Sequence, residues 1–164
     1  LSENRKEDGL SLGLKIEENT IHCDMTAVSR RGFMNWKRVR EVSDNYIKML
    51  KTKGTSATQV VNLSGGNQQK VAIAKWLHAG CNLLIFDEPT RGIDVDAKAE
   101  IHQLIRNFAA QEGKAAIVIS SEVNELVSVS DRIIVMSKGQ ITGELEAEEI
   151  EQNNVLRHIT TKGR

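Results

Sequence analysis

The chain has 164 residues, with 22 Lys and Arg against 22 Asp and Glu, and a hydrophobic fraction of 40%. Its pI near 7.1 gives no electrostatic footing for a nucleic-acid or anionic-membrane surface. Its longest apolar runs, at 83–86 and 115–119, fall far short of the ~20 residues that a membrane helix needs. Cys23 and Cys81 are too few to form a disulfide framework and imply a reducing compartment. His78 and Cys81 are three apart, but no second pair follows at ligand spacing, so a metal site is not expected. The opening LSENRKEDG carries no apolar signal core and reads as the start of a fragment, not as a secretory leader.

Along the chain, residues 10–35 alternate short apolar clusters with polar stretches and an SRRG turn, which suggests small helices and loops. Residues 36–50 place Trp36, Val39, Val42, Tyr46, Ile47 and Leu50 at helical spacing, predicting an amphipathic helix. A second helical run carries Val71, Ala74 and Leu77. NLLIF at 82–86, AAIVI at 115–119 and RIIVM at 132–136 read as strands covered on both faces. Ile101, Leu104, Ile105 and Phe108 predict a helix over 95–112, so the first two strands form a parallel crossover unit. The Gly-containing SKGQ then predicts a hairpin from RIIVM to ITGEL at 141–145, followed by a polar helix over 146–159. The fold class is therefore α/β.

Two strings carry chemistry. LSGGNQQK at 63–70 puts Gly65 and Gly66 at the start of a helix, where free N–H groups and the helix dipole favour a phosphate beside Ser64, Gly65 and Gly66. LLIFDEPT at 83–90 ends a strand in two acids. Asp87 there suits Mg²⁺ or its water shell, and Glu88 suits a general base. Taken alone, each string also reads as ordinary structure: a Gly-Gly turn before a helix, and two solvated acids at a strand end.

Together, LSGGNQQK and DEPT resemble the signature and Walker B segments of ATP-binding-cassette ATPases, and RGID at 91–94 resembles their D-loop. The forms GGNQQK and DEPTRGID are most similar to the second cassette of the tandem-cassette subunits that drive bacterial ribose-, galactose- and xylose-type importers. The resemblance covers essentially the whole chain. It divides the chain into a Q-loop, helical subdomain and signature helix over 1–80, and a Walker B core with C-terminal hairpin and helix over 81–164. It implies that Ser64, Gly65 and Gly66, with Gln68, contact the γ-phosphate of an ATP held by the opposing cassette. By the same resemblance Asp87 positions Mg²⁺ through water, Glu88 is the catalytic base, Asp94 lies at the cassette interface, and Glu3 lines the Q-loop. The implied partners are transmembrane permease subunits, a second ATP-binding cassette and, indirectly, a periplasmic sugar-binding protein, with no nucleic acid. The implied place is the cytoplasmic face of the cell membrane.

Three departures shape the expected activity. No G-x-x-x-x-G-K-[ST] string occurs, since Gly113-Lys114 is followed by Ala115. An N-terminal part of the cassette is therefore expected to be left off or lost, and the isolated chain is expected to be inactive. Ser121 stands where most cassettes carry a His that contacts the γ-phosphate, which predicts slow turnover at this cassette's own site beside an intact signature. Ser2 and Asn4 replace residues of the subgroup's commoner Pro-Glu-Asp-Arg. The function expected is ATP hydrolysis energising carbohydrate import. The alternative is a non-catalytic truncated cassette acting as an interaction module. An ABC-type DNA-repair ATPase is disfavoured by the lack of heptads and of a basic patch.

Overall fold

The structure, a computed structural model, describes residues 1–2 and 4–160, with the side chains of Arg5, Lys6, Ala147 and Thr160 excepted. The Q-loop reading placed on Glu3 lies outside the described residues. A π-helical turn at Arg5–Gly9 leads to α1 (Ile16–Ile21). Asn19 ties the two together: its Oδ1 accepts from the Ser11 N–H at 2.8 Å, and its Nδ2 donates to the Ser11 and Lys15 carbonyls. Strands β1 (Ser29–Arg30) and β2 (Phe33–Met34) then pair antiparallel. Arg31 and Gly32 both take positive φ in the two-residue turn between them, the geometry that suits a tight hairpin.

Helix α2 (Trp36–Met49) starts at Asn35, whose side chain accepts from the Arg38 N–H, and ends one residue short of the predicted 36–50. Helix α3 (Gly65–His78) is the pivot of the molecule, because opposite sides of it enter different cores. Val71 and Ala72 pack with Leu10, Ile16 and Val60, whereas Ile73 and Ala74 pack with Leu84, Phe86, Ile101, Ile105 and Phe108. Its buried Lys70 is satisfied by Glu100 at 2.7 Å and the Lys51 carbonyl at 3.1 Å.

Strand β3 (Leu83–Asp87), helix α4 (Val95–Ala109) and strand β4 (Ala115–Ile119) form the expected parallel crossover. α4 stops three residues before the predicted 112, because the chain turns through Gln111 and Glu112 to Gly113, which has positive φ. Leu1 lies along the free edge of β3, its carbonyl accepting from the Asp87 N–H at 3.1 Å. The expectation that these strands are covered on both faces is corrected. α3 and α4 bury Leu84 and Phe86 on one face, but Leu83, Ile85, Ile117 and Ile119 on the other remain about half exposed (47–51%). An unbroken apolar run reports two apolar faces; it does not report how many neighbours are present to cover them.

Beyond β4 comes α5 (Val123–Val129), a helix that the sequence reading did not anticipate. Strands β5 (Arg132–Ser137) and β6 (Gln140–Glu146) form the predicted hairpin, with Lys138 and Gly139 both at positive φ. Ile133, Val135 and Leu145 pack against α5 and against Val155 of α6 (Gln152–Thr160). α6 begins later than predicted because Ala147–Glu149 forms a separate 3₁₀ turn. β4 and β5 belong to different sheets, so the parallel pair and the C-terminal hairpin are joined through helices.

Candidate functional site

The end of β3 carries an unusual backbone. Glu88 has φ +46°, a left-handed conformation that costs an ordinary L-residue ~1–2 kcal/mol. The end of β4 holds it there by two bonds. The Glu88 N–H donates to the Ile119 carbonyl at 2.8 Å, and the Glu88 Oε1 accepts from the Ser121 N–H at 2.8 Å. Both follow from register: Asp87 pairs with Ile119, so the residues just beyond the two strands must meet. The left-handed turn redirects the chain at Glu88, and Pro89 and Thr90 then bury in the loop.

Asp87 supplies one half-buried carboxylate at the C-terminal end of β3. Among the described residues no group of three or more His, Cys, Asp or Glu side chains is placed to hold a metal. A single carboxylate with water completing the shell fits Mg²⁺, which dehydrates reluctantly and shares its other positions with substrate phosphates. Asp94 is the N-cap of α4, its Oδ1 accepting from the Ala97 N–H at 2.9 Å.

The Ser64 end of α3 is a separate surface. Ser64 is the exposed N-cap, with Gly65 beside it on the first turn. Ser64 makes no side-chain cap; its Oγ accepts instead from Asn67 Nδ2 at 2.8 Å, and Asn67 Oδ1 accepts from the Lys53 N–H at 2.8 Å. Asn67 is the residue that the sequence reading missed, although its position three residues after a Ser N-cap was the available signal. Gly66 is buried, and a Cβ built on it would stand 2.6 Å from the Ala97 Cβ. Its bareness thus serves the contact between α3 and α4 and brings the Ser64 end close to the Asp94 end. Gln68 is also buried, with its Nε2 donating to the Val60 carbonyl at 3.2 Å, and it is turned inward from Ser64. The structure therefore gathers the predicted residues into two groups. Asp87, Glu88 and Ser121 form one, and Ser64, Gly65 and Gly66 form the other.

A family model described as ABC transporter matches residues 2–91. The chain belongs to the ABC transporter family. Similar relatives include the ribose import ATP-binding protein RbsA of Clostridium tetani, 45% identical over 161 residues. A Burkholderia lata protein, provisionally named for ribose/galactose/methyl galactoside import, is 44% identical over 164 residues. These alignments take in 96% and 99% of this chain but 32% of each relative, so the chain spans about a third of the length of the curated relatives it matches. Among solved structures, a dimeric ATP-binding cassette in a post-hydrolysis state with ADP and Pi superposes with a TM-score of 0.68 at 26% identity, covering 84% of this chain and 58% of that one. A nucleotide-free cassette from an ABC transporter gives 0.70 at 20% identity, covering 88% and 59%, which supports the ABC ATPase fold.

Proposed function

We propose that this chain supplies the signature, Walker B and D-loop parts of an ATPase that energises carbohydrate import. The observation that carries the reading is Glu88, held in a costly backbone conformation at the end of β3 with its carboxylate fixed by the Ser121 amide. In this reading Glu88 orients the attacking water and accepts its proton as the water oxygen bonds to the γ-phosphorus. The bond from that phosphorus to the bridging oxygen breaks, and ADP and phosphate leave. Mg²⁺, when bound, neutralises the developing charge on the phosphoryl oxygens, and Asp87 would hold it through water.

Ser64, Gly65 and Gly66 serve the other half of the assembly. The free N–H groups at the start of α3 suit the γ-phosphate of an ATP held by an opposing cassette. Asp94, at the start of α4, would lie at the junction of the two cassettes. Gln68 keeps its proposed place beside this set: its Nε2 is engaged by the Val60 carbonyl, while its buried Oε1 has no hydrogen-bond partner among the described residues. Glu3 keeps its proposed place in the Q-loop, facing a permease subunit. The names of the relatives, import ATP-binding proteins for ribose and galactosides, support carbohydrate as the cargo; permease subunits, a periplasmic sugar-binding protein and the cytoplasmic face of the membrane enter with the proposal. No helix of the described residues is long and apolar enough to cross a membrane, which fits a peripheral subunit.

A second reading is a non-catalytic cassette that acts as an interaction module and completes a partner's site; these 164 residues contain no G-x-x-x-x-G-K-[ST] string. One experiment separates the two. The chain is tagged in its own cells and purified natively with its companions; polypeptide mass and ATP turnover are then measured for wild type, Ser64→Arg and Glu88→Gln. Loss of about 100-fold or more with Glu88→Gln supports catalysis at this cassette's own Walker B. Loss with Ser64→Arg alone supports the non-catalytic reading, and turnover indifferent to both variants refutes the proposal.

A further inference from the structure

Between α4 and α5 runs a polar seam that none of the motifs describes. Three residues one turn apart on α4 face α5: Lys98, His102 and Arg106. Lys98 Nζ lies 2.7 Å from both carboxylate oxygens of Glu122, the residue at the N-cap of α5. His102 Nε2 lies 3.0 Å from Glu125 Oε1, and Arg106 Nη1 donates to the Ser128 carbonyl at 2.7 Å. The middle rung is the buried one, since the Glu125 side chain is 2% exposed and that of His102 16%.

The middle rung is also closed on itself. The Ser128 hydroxyl donates its one proton to the Glu125 carbonyl at 2.7 Å, so toward His102 Nδ1, 3.3 Å away, it serves as acceptor. His102 thus stands between two partners, Ser128 at Nδ1 and Glu125 at Nε2. Glu125 Oε2 has no partner among the described residues, so His102 is the side chain that satisfies this buried carboxyl group. Removing it leaves a buried polar group without its partner, which costs more than losing an exposed contact.

α5 needs this support. It has seven residues and no side-chain cap, too short to stand by itself, and its apolar residues Val123, Leu126 and Val127 are only partly buried against the C-terminal hairpin. Its first turn follows directly on Ser121, whose N–H fixes the Glu88 carboxylate. We infer that His102 is a positioning residue for Glu88: by holding Glu125 it fixes α5, and α5 in turn fixes the Ser121 amide on the Glu88 carboxylate, with Lys98 on Glu122 as the second hold. The inference rests on the proposed role of Glu88 as catalytic base. It also links Asp94 to the same chain of contacts, because the Lys98 N–H donates to the Asp94 carbonyl at 3.0 Å.

The test has two readouts on the natively purified assembly: amide hydrogen exchange at Ser121, and kcat and KM for ATP. His102→Leu is expected to speed exchange at Ser121 by about 10-fold, with core amides such as Phe86 and Val118 unchanged. It is expected to lower kcat by a similar factor with KM unchanged. His102→Gln, which keeps a donor toward Glu125, should return both to within about 2-fold of wild type. Lys98→Met, at a partly exposed position, serves if His102→Leu loses core protection; it should act in the same direction. Unchanged Ser121 exchange in a folded variant overturns the inference, as does faster exchange with unaltered kcat. Turnover that is insensitive to Glu88→Gln would instead count against the function proposed above, so the two failures remain distinct.

Discussion

Gly66 offers the sharpest test of how α3 is seated. A Cβ at this position meets the Ala97 Cβ at 2.6 Å and Ile93 Cγ2 at 3.5 Å. The nearer atom belongs to a rigid methyl on a neighbouring helix, so relief requires α3 and α4 to move apart. Overpacking of this kind costs about 1–3 kcal/mol. Against it stands the gain from replacing glycine in a helix, at most about 1 kcal/mol and less in the first turn. Gly66→Ala should therefore destabilise the protein by about 1–2 kcal/mol, measured by urea unfolding followed by far-UV circular dichroism. Ala97→Gly removes the obstacle, so the double variant should recover stability relative to the sum of the single changes, with a coupling of about 1–3 kcal/mol. A Gly66→Ala protein as stable as wild type, or additive behaviour of the pair, would refute the reasoning. The outcome also decides how variants at the start of α3 are interpreted. If Gly66 is a packing glycine, replacing it with a larger residue disturbs α4 and with it the Asp94 cap, and Ser64 becomes the cleaner probe of phosphate contact.

Three more outcomes can be checked on the same protein. Asp94→Ala should cost about 0.5–2 kcal/mol in urea unfolding through loss of the α4 cap, and Asp94→Ser should restore most of it; if Ser restores stability but not ATP turnover, the carboxylate acts beyond capping, and full recovery of both would limit it to capping. Ile85 and Ile117 lie opposite each other on the open face of β3 and β4, each 47% exposed. Changing both to Thr should reduce binding of an apolar fluorescent dye while shifting Tm by no more than about 2 °C, and unchanged dye binding would show that this face is not the exposed apolar surface. The single tyrosine, Tyr46, is pushed above its ordinary pKa of 10.0 by burial. The folded state therefore keeps the phenol proton to higher pH than the unfolded chain does. Stability is unaffected below pH 10 by this group and falls as pH rises from there toward the folded value. A phenolate absorbance titration of the native protein at or below pH 10 would contradict this.

Much of the architecture was legible because it depends on local pattern. The turn at Lys138-Gly139 was legible from Gly139, which accepts at no steric cost the positive φ that a tight hairpin requires. The apolar periodicity of α4 gave its buried face of Ile101, Ile105 and Phe108, whereas in α2 Val39 is buried but Trp36 is 49% exposed, and the strings around Ser64 and Asp87 marked the candidate site. α5 was not legible, because seven residues offer too few turns to reveal a period and its polar partners lie on another helix.

What the 164 residues determined by themselves was the order α2, α3, β3, α4, β4, β5, β6 and α6, the C-terminal hairpin, and the two motifs, all properties of neighbouring positions in the chain. Tertiary structure alone decided which face of the β3–β4 pair is covered, that Gly66 makes room for Ala97, that Gln68 turns inward, and that Glu88 is gripped by Ile119 and Ser121. The physical reason is register. Once Asp87 pairs with Ile119, residues more than thirty positions apart stand within hydrogen-bond distance, and no local pattern in the sequence encodes that meeting.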